Sequence, residues 1–206
     1  MKIYLSNFFR WYPVLSLVIA FAMLAFCTIL YKSINFDDRA FASLIGVQHM
    51  GSDYRINRFY VDEYGGGNVG EEGGGGGIMC CVKIPRQWHP GLKARVRWEV
   101  DHIIRTDDPK IPKIAEVSGI YHAQVPVEAY IEPGHLYVHF FSGGGVRIVV
   151  SKIGPGWDGH PIQWEDTWAS QTATMGTRVS AIFSDAEIAA SEREAERDRK
   201  KNGDWR

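Results

Sequence analysis

The stretch Lys93-Ala-Arg-Val-Arg-Trp-Glu-Val-Asp101 alternates without a break. Ala94, Val96, Trp98 and Val100 fall on one side of an extended chain; Lys93, Arg95, Arg97, Glu99 and Asp101 fall on the other. Successive side chains of a strand point to opposite faces, so the stretch predicts a half-buried antiparallel strand with Trp98 in the core and Arg97 in solvent. Tyr121 to Ala129 alternates in the same way, and Pro126 within it argues for an edge position or a bulge. His135 to Phe141 and Val146 to Ile153 are joined by Ser142-Gly-Gly-Gly145, which predicts a hairpin. Residues 42–49, 54–62 and 78–84 supply three more candidate strands. No long 3.6-residue period interrupts the region from Phe41 to Ile153, so the helices a βαβ fold needs are missing. Seven short strands with Gly- and Pro-marked turns predict a mainly β domain over residues 41–183, an antiparallel β-sandwich or open barrel.

The tail, residues 184–206, reads as a charged surface helix. Ser184-Asp-Ala-Glu187 is a capping box, in which Glu187 reaches back to the Ser184 amide. Acidic residues crowd the first turn and Arg199-Lys200-Lys201 the last, which complements the helix dipole, and Asn202-Gly203 supplies the stop. Glu196 faces Lys200 one turn on.

At the other end, Trp11 to Tyr31 holds 21 residues without a charge. A helix of that length rises about 31 Å, close to the hydrocarbon thickness of a bilayer. Residues 1–10 carry Lys2 and Arg10 and no acid, so the positive-inside bias places them in the cytoplasm and the chain from the 32–40 linker onward across the membrane. The expectation is a single-pass inner-membrane protein with its bulk in the periplasm. A cleaved signal peptide would have a shorter apolar run. A lipoprotein signal is suggested by Leu24-Ala25-Phe26-Cys27, although Phe26 stands where a small residue belongs.

Charge narrows the function classes. The whole chain has 23 basic and 24 acidic residues, and both basic residues of the first 31 precede the apolar run, so the remainder is net acidic. A nucleic-acid partner, which calls for clustered Lys and Arg, is not expected. Gly65 to Gly77 contains nine glycines in thirteen residues together with Asn68, Glu71 and Glu72. A phosphate cradle would follow such a run with Lys-Ser/Thr and a helix, whereas Ile78-Met-Cys-Cys-Val82 is strand-like. The run therefore reads as an irregular inter-strand loop, and Asn68, Glu71 and Glu72 as a candidate partner-binding loop. Cys80 and Cys81 are adjacent and would point to opposite faces of a strand, which disfavours a shared zinc ion. They are either two reduced buried cysteines or a vicinal disulfide in an oxidising compartment. The seven histidines are scattered, and His135 and His139 stand about 13 Å apart along a strand, too far for one metal ion. No HExxH, GxSxG or DxDxDG pattern occurs. No catalytic residue, cofactor or metal is expected.

One order of residues is specific: Tyr64-Gly-Gly-Gly-Asn68, the glycine run, Cys80-Cys81-Val82, Pro85-Arg-Gln-Trp88-His-Pro90-Gly91-Leu92-Lys93, then Val96-x-Trp98. It resembles the domain-of-unknown-function 3304 family of proteobacterial envelope proteins and lipoproteins over residues about 41–150. The resemblance implies an immunity protein that neutralises a type VI secretion lipase effector by stoichiometric binding, with that secreted lipase as its partner. It supplies no catalytic residues. The alternatives are an envelope enzyme or glycan-handling domain, and a structural envelope protein.

Overall fold

The computed structural model describes residues 20–24, 38–71, 79–106, 112–164, 166 and 168–203. Most of the apolar run at 11–31, the 32–37 stretch of the linker, Glu72 and the glycines at 73–77 lie outside these residues. The chain divides into two units, residues 1–39 and 40–206. In the first, residues 20–24 are helical. No helix among the described residues is long and apolar enough to cross a membrane.

The second unit is mainly β. Its strands are β1 (Arg39–Gln48), β2 (Tyr54–Val61), β3 (Tyr64–Gly66), β4 (Met79–Pro85), β5 (Lys93–Ile104), β6 (Ile114–Pro126), β7 (His135–Phe141), β8 (Gly145–Ser151), β9 (Thr174–Met175) and β10 (Thr177–Val179). They form two five-stranded sheets, ordered β4-β1-β7-β8-β9 and β10-β6-β5-β2-β3. Leu44, Val82, Leu136, Phe140 and Ile148 of the first sheet meet Ile56, Phe59, Val96, Trp98 and Val125 of the second in one apolar core. Trp98 is fully buried there, with its ring against Tyr121 and Phe140. Gly46 of β1 and Gly66 of β3 leave room for the Phe59 ring, which a Cβ at either position would strike. The β7–β8 hairpin turns through Ser142–Gly144, where Gly143 and Gly144 both have positive φ.

Three expectations need correction. The sheets are not wholly antiparallel: β1 pairs with β7 in parallel, Leu44 against Leu136 through Gln48 against Phe140. Parallel neighbours need a long connection, and this one contains β4 of the same sheet and four strands of the second, β2, β3, β5 and β6. Strand β1 also begins at Arg39, inside the stretch read as linker. Above all, β5 is buried on both faces from Val96 to Asp101: Lys93 and Arg95 are exposed as expected, but Arg97, Glu99 and Asp101 are each at most 4% exposed. Alternation still holds, but the charged face is covered from Arg97 on. Arg55 pairs with Asp101 at 2.9 Å, and Arg58 with Glu99 at 2.7 Å, where Asn57 also donates. Arg97 donates to the Ile182 carbonyl at 3.0 Å, pairs with Glu187, and lies 4.9 Å from the centre of the Phe183 ring. Partnered in this way, charges can be buried without the full desolvation cost.

Helix α1 (Asp185–Asn202) follows, with Ser184 and Glu187 forming the capping box and none of its residues buried. Glu187 therefore does two jobs: it caps the helix and holds its first turn to β5.

Candidate functional site

After β8 the chain leaves the sheet and does not pair again until Thr174. The intervening strap, residues 152–173, runs over the outer face of the first sheet. Tyr137, His139 and Phe141 are alternate residues of β7 and face outward, away from the main core. With Val47 and Val149 they need a cover, and Ile162 and Ala169 of the strap supply it in a second, smaller apolar cluster. Arg147 fastens the far end by donating to the Ala169 carbonyl at 3.1 Å.

A chain of three imidazoles fixes the middle of the strap. His49 Nε2 lies 2.9 Å from His139 Nδ1, and His139 Nε2 lies 3.1 Å from His160 Nε2. His160 Nδ1 is 2.6 Å from the Ile153 carbonyl oxygen. That carbonyl can only accept, so His160 donates from Nδ1 and, when neutral, accepts at Nε2. His139 must then donate from Nε2 and accept at Nδ1, and His49 must donate from Nε2. One carbonyl thus sets all three tautomers. Burial supports the neutral forms. It lowers the His49 pKa to about 4, against the pull of the Asp166 carboxylate and with a smaller push from His160 and Arg147. It holds His139 well below the ordinary value, where His49, His160 and Arg147 add to the effect. His160 is lowered by burial as well, partly offset by its bond to Ile153. His49 also stacks on Phe141 and leans on Trp164.

Around this anchored backbone stand three indoles. Trp157 is 73% exposed, Trp168 71% and Trp164 38%. Gln163 Nε2 donates to the carbonyls of Trp157 and His160, and Asp166 Oδ1 accepts from the amides of Trp168 and Ala169. The indoles are thus presented on a backbone held at several points.

The residues singled out from the sequence sit elsewhere. Asn68 is exposed beside Val69, which bridges to Ile56 of β2. Glu71 has its carboxylate between Lys113 and Arg105, each at 2.7 Å, and Arg105 also pairs with Asp53. Those two cations, Lys113 foremost, hold the Glu71 pKa below the ordinary carboxylate range. The Glu71 carbonyl accepts from buried Gln48 at 3.0 Å, so the entry to the glycine loop is tied to β1. Glu72 lies outside the described residues. Cys80 and Cys81, on edge strand β4, form a disulfide between sequence neighbours. None of these residues adjoins the histidine chain in the contacts described above. The described residues contain no cluster of three or more His, Cys, Asp or Glu placed to hold a metal ion. His49, His139 and His160 do not converge on one point, because His139 uses opposite sides of its ring for its two neighbours.

No curated protein and no solved structure matches the chain. Residues 49–148 match the DUF3304 family, described as protein of unknown function, a stretch that ends before the strap.

Proposed function

We propose that the protein is tethered in the inner membrane by residues 11–31 and acts from the periplasmic side by stoichiometric binding, as the immunity protein of a secreted lipase-type effector. The observation that carries the binding class is the pair of solvent-exposed tryptophans, Trp157 and Trp168, on a strap fixed by His160 and Arg147. Interfaces draw most of their energy from a few aromatic or Arg anchors, and an anchor held in place before contact loses little freedom on binding. Within the same reading Asn68 is a second candidate contact residue, apart from the strap. Glu71 contributes little steering there, because its charge is balanced by Arg105 and Lys113. The family resemblance supports the choice of partner.

The test is co-expression with the lipase-type product of a neighbouring gene. The expected result is a co-purifying one-to-one complex in which phospholipid hydrolysis is suppressed. Unimpaired hydrolysis with the protein in excess would refute the reading.

A further inference from the structure

A second feature lies on the described surface, within the stretch matched to the family. Met50, Tyr54, Val100, Ser118, Tyr121, Ser142, Gly143 and Gly144 enclose a cleft of about 180 Å³ where the two sheets meet beside the β7–β8 turn. Three local departures from regular strand geometry build it. In the β5–β6 ladder Val100 pairs with Gly119 and Asp101 with Val117, so Ser118 is an extra, bulged residue. Bulges re-aim side chains and gather beside functional sites. Gly143 and Gly144 take positive φ in succession. Any Cβ at Gly119 or Gly144 would come within 2.6 Å of the Tyr121 ring, so glycine at both positions leaves that ring its place. The two lips are tied to one short segment: Gly176 N donates to the Gly144 carbonyl at 2.8 Å, and Arg178 to the Ser118 carbonyl at 2.7 Å. Behind the cleft Tyr121 stacks on Trp98 and Tyr54 leans on His102, which fixes both phenol rings.

The geometry points to a binding site for one uncharged, hydroxyl-bearing six-membered ring, a single sugar residue either free or at the end of a glycan. No charged side chain lines the cleft, so an ionic ligand would lose its water without compensation. Two phenols and two serine hydroxyls can each donate and accept, which suits a rim of ligand hydroxyls. Tyrosine rings, Val100 and Met50 suit the apolar C–H faces of a pyranose. The volume equals that of about six waters at ~30 Å³ each, enough for one substituted ring and too little for a stretch of peptide. This site stands independently of the lipase reading, since no strap residue lines it.

Saturation-transfer NMR on the full chain in a detergent without a sugar headgroup tests the assignment. Glucose, N-acetylglucosamine, their β-1,4-linked disaccharides, glucuronate and a blocked alanine dipeptide serve as probes. Transfer to a neutral monosaccharide, and little to glucuronate or the dipeptide, is expected. Transfer confined to the terminal ring of a disaccharide assigns a glycan end; transfer to monosaccharides alone assigns a free sugar. Ser118→Leu, which fills the cleft, should abolish the signal. Ser142→Ala with Tyr54→Phe keeps the volume and should weaken affinity roughly tenfold through lost hydrogen bonds. Silence from every neutral sugar, a preference for glucuronate or dipeptide, or a signal that survives both variants overturns the proposal.

Discussion

Trp98 and Arg97 are neighbours on one strand and both are buried, the first by packing and the second by pairing. Trp98→Ala removes a fully buried indole from between the sheets and should cost about 3–5 kcal/mol in urea unfolding. Arg97→Ala removes the donors to Ile182 and Glu187, and should cost about 1–3 kcal/mol instead of the near-zero effect of a surface change. The two losses should differ in salt dependence, because only the second involves an ion pair. Proton linkage adds a pH signature. Glu187 is held at about 2, chiefly by its hydrogen bond from Arg97. Its contribution is fully present above the ordinary glutamate value near 4.5 and is lost as pH falls toward 2. The histidines act in the same direction at higher pH. His49 stays neutral down to about 4, whereas the unfolded chain takes up its proton near 6.5, so stability should decline between those values. His49→Phe keeps a ring on Phe141 but leaves His139 Nδ1 without its donor. The variant should be less stable at pH 8 and show a shallower fall in Tm between pH 6.5 and 4. An unchanged slope would mean that His49 is not held neutral.

The strap is the element that links fold to proposed function, and its two tasks separate by mutation. Trp157→Ala and Trp168→Ala touch exposed rings and should change folding stability by no more than about 0.5 kcal/mol. They should weaken partner binding about tenfold or more, the equivalent of ~1.4 kcal/mol, in a titration against the effector. Little of this element was legible beforehand. Strands such as β5 and β7 announce themselves because a two-residue period places Val96 and Trp98, or Leu136 and Phe140, against one core. The capping box of α1 is equally local. Strands β3, β9 and β10, of two or three residues, are too short to show a period, and the strap has none, because it is shaped to cover Tyr137 and Phe141. His49, His139 and His160 are brought together only by the β1–β7 pairing and the return of the strap. The alternation that marked β5 was sound, but it carried no sign that residues 182–187 would cover Arg97 or that Arg58 and Arg55 would pair with Glu99 and Asp101. The bulge at Ser118 is invisible for a related reason: one extra residue leaves composition and hydropathy unchanged.

At the scale of the whole molecule, the proposed tether and the β domain make one topological expectation. A reporter fused after residue 206 should be active only on the periplasmic side, because Lys2 and Arg10 precede the apolar run at 11–31. Cytoplasmic reporter activity would remove the envelope reading, though not the cleft. The parallel pairing of β1 with β7 carries a further consequence, for the order of events in biosynthesis. Strand β1 leads the β domain out of the ribosome, yet it ends in the interior of its sheet, between β4 and β7. Its β7 partner, beginning with Leu136 opposite Leu44, lies about ninety residues downstream. At roughly 5–20 residues per second that partner is missing for several seconds. Through that interval β1 can pair at most with β4, its edge toward β7 stays open, and an unpaired strand edge invites pairing with other chains. Folding that depends on so distant a contact is slow by topology alone. The nascent domain should therefore depend on a holding chaperone, and that dependence should end only once residues 135–141 have emerged.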